Sequence, residues 1–160
     1  ELLRERGIAK ADKKADRAAK EGFIGSYIHH NGKIAVLVEV NCETDFVARE
    51  ESFQELARNI AMHIAMAAPT YTRTEEVPAE ALEAEKAALL RQAKEEGKPE
   101  HVAEKIVEGR VHKWLSEIVL LEQAYVKDDK KSVDQLVKEA TATLGENIQV
   151  GRFARIAIGE

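Results

Sequence analysis

Cysteine, proline and aromatic residues are all scarce in this chain of 160 residues, and each scarcity excludes something. The single cysteine, Cys42, has no partner for an internal disulfide. That excludes a stapled secreted scaffold and fits a reducing compartment. Aromatic residues make up only 5% and the formal net charge is −5, so both the stacking platforms and the basic face of a dedicated nucleic-acid binder are missing. No apolar run approaches the ~18 residues of a membrane-spanning helix. No signal peptide is visible, and a cytoplasmic location is expected. There is no phosphate-cradling glycine loop, no His-Glu-x-x-His and no Cys pair, so neither a metal nor a cofactor is expected.

What is present is charge and aliphatic bulk. Charged residues reach 33% with both signs interspersed, and apolar residues 44%, the composition of a soluble, helix-rich protein. At this length folding hides about 68–70% of the extended surface, enough for one solid core or two small ones.

The chain opens without Met inside an apparent helix, residues 1–6, closed by Gly7, and reads as a piece of a longer protein. Residues 8–21 carry no apolar stripe and read as a solvated linker or a marginal helix. Lys10, Lys13, Lys14, Arg17 and Lys20 make the segment locally basic, and interleaved Asp and Glu dilute that charge.

Phe23–His30 and Lys33–Cys42 flank Asn31-Gly32, a strong hairpin signal. Ile34, Val36, Val38 and Val40 share one face of the second strand, and Lys33, Ala35, Leu37 and Glu39 share the wetter one. Ser52-x-x-Glu55 predicts a capping box, followed by the stripe Phe53, Leu56, Ala57, Ile60, Ile64 and Ala67. Met62, Ala65 and Met66 lie off that stripe, so the helix is either buried on several sides or offers a second docking face. His63 reads as a boundary residue.

Tyr71-Thr72-Arg73 is expected to add a third strand to the hairpin. Two helices, 79–96 and one of about twenty residues after Pro99, form an antiparallel pair across Gly97-Lys98-Pro99. Ser132-x-x-Gln135 caps a further helix that ends at Gly145. Ile148, Val150, Ala154, Ile156 and Ile158 then alternate along a final strand broken only by Arg152. With few partners in its own unit, that strand predicts pairing with a second copy and a homodimer.

The fold class is α+β: an antiparallel sheet subdomain with helices, a long helical hairpin and a smaller C-terminal helix–strand subdomain. The expected divisions are a helical remnant and linker over 1–21, a core subdomain over 22–112 and a dimerisation subdomain over 113–160.

Catalytic groups are not assembled by this pattern. His29 and His30 are adjacent in a predicted strand and so face opposite sides. His101 and His112 share a helix face but lie ~16 Å apart. Glu43 and Asp45 would raise the pKa of Cys42 rather than activate it. One segment stands out, Glu43-Thr44-Asp45-Phe46-Val47-Ala48-Arg49, which puts an aromatic and a Val in a connection beside a carboxylate and a guanidinium. On physical grounds alone Phe46 is simplest as core, covering the hairpin, with Asp45 capping a turn. The other reading is a projecting hydrophobic wedge with a charged shoulder, the make-up of an interface hot spot.

The run from Gly25-Ser26-Tyr27-Ile28-His29-His30 through Val38-Glu39-Val40-Asn41-Cys42-Glu43-Thr44-Asp45-Phe46-Val47-Ala48-Arg49 closely resembles bacterial translation elongation factor Ts. So do Gly97-Lys98-Pro99, the helix Ala103–Arg110 and the closing Gly145-Glu146-Asn147-Ile148. The resemblance covers nearly the whole chain and points to a short, dimeric member. It implies a guanine nucleotide exchange factor, not an enzyme, for elongation factor Tu, the GTPase that carries aminoacyl-tRNA to the ribosome. By matching positions, Asp45 and Phe46 would press beside the partner's Mg²⁺ and phosphate site, with Thr44 and Val47 shaping the loop. It also implies pairing of short members through the C-terminal unit, with no cofactor, membrane or direct nucleic-acid partner. Family members carry an N-terminal helical module, of which residues 1–6 would be the last helix. The competing readings are an RNA- or ribosome-associated structural protein using the basic segment over 4–20, and a small-molecule enzyme using Cys42 and a histidine.

Overall fold

The computed structural model describes residues 2–160, with side chains from Glu5 onward. The architecture is α+β, as the sequence indicates, and the chain falls into two compact units. One comprises the residues up to Ala68 together with Ala124–Glu160, and the other is Pro69–Gln123. The boundaries expected at 21/22 and 112/113 are therefore not where the chain parts. The residues after Gln123 belong with the N-terminal hairpin, a long-range association that no local pattern encodes.

In the first unit, α1 (Leu2–Lys14) runs through Gly7 instead of ending there. A Cβ at Gly7 would stand 3.6 Å from Ala142 Cβ, an ordinary packing distance, so the glycine is a contact point and not a stop. Of the helix expected over residues 1–6, Glu1 lies outside the described residues. Ala11 is buried and Asp12 pairs with Lys138 at 3.3 Å, so of the two readings, linker or marginal helix, the helix holds up to Lys14, docked on α6 (Val133–Leu144). Tertiary packing supplies what this weakly amphipathic segment lacks on its own.

Strands β1 (Glu21–Ile28) and β2 (Ile34–Cys42) pair antiparallel. The turn is longer than the two residues expected. Gly32 alone takes a positive φ, 71°, while His29 N–H donates to Ile34 O and Gly32 N–H to His29 O, each at 2.8 Å. Val36, Val38 and Val40 are almost fully buried, as their alternation predicts, under α3 (Glu51–Ala67).

The third strand is not Tyr71–Arg73, which makes only an isolated parallel bridge from Tyr71 to Val119 inside the second unit. It is β5 (Gln149–Ala157), antiparallel to β2, giving the order β1-β2-β5. Between Val38↔Phe153 and Val40↔Val150 the register shifts by one residue. This bulge flips the side-chain parity of β5, so Val150 is buried while Ile156 is 71% exposed. The single apolar face expected for this strand is thus split across both sides of the sheet.

The capping box at the start of α6 forms as expected, with Gln135 N–H donating to Ser132 Oγ at 3.1 Å and Ser132 N–H to Gln135 Oε1 at 2.9 Å. Gly145 ends α6 at φ 78°. Strands β3 (Ala124–Tyr125) and β4 (Asp128–Ser132) form a small ribbon beside it, so Asp128–Lys131 is strand and not turn. In the second unit, α4 (Ala79–Glu95) and α5 (Glu100–Ile118) pack as a helical pair, with Ala93 and Ala103 fully buried.

Candidate functional site

The segment from Thr44 to Arg49 is not an irregular connection but one turn of helix, α2 (Asp45–Ala48). Thr44, not Asp45, is its N-cap: the backbone is extended at φ −126° and ψ 155°, and Val47 N–H donates to Thr44 Oγ1 at 3.4 Å. At the other end Gln54 Nε2 donates to Ala48 O at 3.2 Å. That contact joins α2 to α3, whose N-cap is Glu50 without a side-chain bond, so the box expected at Ser52 does not form. Ser52 lies one residue inside the helix, where it has no cap to make.

Helical geometry sorts the four side chains of this turn. Val47 and Ala48 are buried, each 6% exposed, and fix the turn to its own fold. Phe46 points away and is 76% exposed, so the reading of this ring as core fails. Asp45 and Arg49, one turn apart, form an ion pair at 3.2 Å, and the Arg49 guanidinium carbon lies 5.5 Å from the Phe46 ring centroid. The pair is solvated and contributes little stability. Its effect is shape: an apolar ring with a charged shoulder on a short base whose Val47 and Ala48 are buried.

Two reciprocal carboxylate contacts hold that base, and neither was legible in the sequence. Glu146 accepts from Glu43 N–H at 3.0 Å and Thr44 N–H at 3.1 Å through Oε1, and from the Thr44 hydroxyl at 2.6 Å through Oε2. Glu43 in turn accepts from Asn147 N–H at 2.7 Å. Asn147 Nδ2 also donates to Ala15 O and Arg17 O, at 3.3 and 2.6 Å, tying down the exit of α1. Partners about a hundred residues apart leave no periodic signal. The only hint was that Gly145-Glu146-Asn147-Ile148 belongs to the run carrying the family resemblance.

The other candidates resolve differently from expectation. Cys42 is fully buried, and its thiol donates to Thr44 O at 3.2 Å. Burial, and then the charge of Glu146, push its pKa up to about 11. Burial rather than the adjacent carboxylates is the main cause. His63 is fully buried rather than at a boundary, because the β3 ribbon covers it: its Nδ1 accepts from Val126 N–H at 3.1 Å and its ring lies 5.9 Å from Tyr125. Ala65 is buried, Met62 half-buried and Met66 exposed, so α3 is covered on most sides.

His29 and His30 do not face opposite ways, because β1 ends at Ile28 and strand alternation stops there. Their rings lie 4.2 Å apart, and the Tyr27 hydroxyl meets His29 Nδ1 at 2.9 Å. Among the described residues, no group of three or more His, Cys, Asp and Glu side chains could hold a metal ion, and no helix is long and apolar enough to cross a membrane.

The fold and site together define the class as a small α+β protein that presents an exposed aromatic on a one-turn helix. The family description "Elongation factor TS" matches residues 10–160. The chain is 57% identical over 160 residues to elongation factor Ts of Geobacter sulfurreducens, covering 100% of this chain and 74% of that protein. It is 57% identical over 158 residues to the Solidesulfovibrio magneticus factor, covering 99% and 79%. To the Thermosipho melanesiensis factor it is 54% identical over 160 residues, covering 100% and 82%. The chain belongs to the elongation factor Ts family.

Proposed function

We propose that this chain is a guanine nucleotide exchange factor that promotes GDP release from elongation factor Tu, using Asp45 and Phe46 as the element that presses beside the GTPase's Mg²⁺ and phosphate site. The observation that carries this reading is the exposed Phe46 ring on a turn whose other apolar residues, Val47 and Ala48, are buried. An aromatic that gains little from its own fold is available for a partner's pocket.

Such a factor does no covalent chemistry. It binds the nucleotide-free GTPase more tightly than the GDP-bound one, and by linkage each ligand weakens the other by the same factor. Burying one Phe contributes about 1.5–3 kcal/mol, or roughly one to two decades of affinity. One ring is therefore too weak to account for a large exchange effect alone. The remainder has to come from distortion of the phosphate site, driven by binding energy gathered at a second contact. The direct test is release of labelled GDP from elongation factor Tu: acceleration by the chain supports the reading, and release at the intrinsic rate overturns it.

The partner set includes a second copy of the chain, bound by the C-terminal segment as its homodimerisation element. Ile24 and Ile28 from β1, Leu37 from β2 and Ile156 from β5 are each more than half exposed on the sheet face opposite α3. Four large aliphatics on one sheet face exceed the scattered exposure normal for a monomer. A sheet-to-sheet contact would cover them, with β5 contributing from the C-terminal segment.

A further inference from the structure

We infer that Glu146 is a positioning residue for nucleotide exchange, locking the orientation of Phe46 through Thr44; the inference rests on the exchange reading above. The carboxylate fills a gap in the backbone hydrogen bonding. Where β2 ends and α2 begins, Glu43 and Thr44 present two adjacent N–H groups, and both reach Glu146 Oε1. The hydroxyl geometry then selects a direction. Thr44 has one hydroxyl proton, and its 2.6 Å bond to Glu146 Oε2 uses that proton. Oxygen lone pairs are left toward Val47 N–H, the α2 cap contact at 3.4 Å.

Glu146 therefore sets the rotor of the cap, and the cap sets the turn from which Phe46 projects. The carboxylate is itself held. It follows Gly145, which ends α6, and precedes Asn147, whose N–H is bound by Glu43. Anchored from both sides, the turn cannot rotate as an ordinary surface loop does. An aromatic displaced from the cleft it enters forfeits part of the roughly one to two decades that its burial contributes.

The test uses the full chain in two arms. Glu146→Ala should speed amide hydrogen exchange at Thr44 and Val47 at least about tenfold, while the α3 and α6 amides stay protected. It should lower the saturating rate of GDP release from elongation factor Tu about tenfold, with a smaller change in the half-saturating concentration. Glu146→Gln keeps an oxygen for the two amides but sets an NH2 donor against the Thr44 hydroxyl, so it should restore protection at the Thr44 amide while recovering only part of the rate. In a Phe46→Ala background, Glu146→Ala should have almost no further effect, because both act through one ring.

Unchanged amide exchange at Val47, or an equal loss of rate with and without Phe46, would overturn the assignment. Where Glu146→Ala does not fold, Glu146→Asp, one methylene short, decides by the same two readouts. If the wild-type chain fails to release GDP, the exchange reading falls, and unchanged Val47 protection in the variant would dispose of the positioning role separately.

Discussion

Gly25 in β1 lies directly beneath Ala57 of α3, so close that a Cβ at position 25 would stand 2.4 Å from the Ala57 carbonyl oxygen and 2.9 Å from its Cβ. The helix backbone rests on the strand with no side chain between them, and α2 is joined to the start of α3 by the bond from Gln54 Nε2 to Ala48 O. Gly25→Ala should destabilise the chain by about 3 kcal/mol, the upper end for overpacking, and lower the melting midpoint by roughly 6–12 °C. Thermal unfolding followed by circular dichroism checks it.

Ala68 supplies a second backbone prediction. It ends α3 in the left-handed region at φ 46°, donating its N–H to Ile64 O at 2.9 Å, a conformation costly for a residue with a Cβ. Ala68→Gly removes that cost at the expense of some unfolded-state entropy. A gain of about 0.5–1 kcal/mol is expected in urea unfolding.

The Cys42 thiol, raised to about 11 mainly by burial, remains protonated in the folded chain at ordinary pH. Iodoacetamide at pH 8 should label the native protein far more slowly than the urea-unfolded one. The folded pKa lies above the unfolded value, so the thiol's contribution to stability is full below the unfolded pKa. It declines as pH rises toward 11, and urea midpoints should fall more steeply across that window in wild type than in Cys42→Ser, where the raised Tyr125 and Lys138 still titrate.

What could be read in advance was local. Val36, Val38 and Val40 repeat every second residue and are buried together; Ser132 with Gln135 and the stop at Gly145 mark both ends of α6. What could not be read depends on distant partners. β5 joins β2 across more than a hundred residues, and the bulge before Phe153 reverses its faces, so alternation alone put Val150 and Ile156 on one side. α1 continues through Gly7 because α6 receives it. The ring of Phe46 is the instructive case. Composition favoured core, the resemblance favoured projection, and its orientation follows from a cap at Thr44 and a carboxylate at 146 that no spacing announces.

The sheet face carries a prediction of its own. Leu37, 56% exposed on the central strand of the three-stranded sheet, and Ile156 on the same face of neighbouring β5 are expected to be covered by a second copy. Leu37→Glu with Ile156→Lys should convert a concentration-dependent dimer into a monomer in sedimentation equilibrium, with little loss of stability per protomer. A wild-type chain that sediments as a monomer at all concentrations would contradict the dimer.

Whether the ring at position 46 serves a partner or its own fold is decided by one paired measurement: stimulated release of labelled GDP alongside thermal melting, for wild type and Phe46→Ala. Release is expected to slow by roughly one to two decades while the stability change at a 76%-exposed site stays within about 0.5 kcal/mol. A variant that melts early yet releases GDP at the wild-type rate would contradict a partner role for the ring.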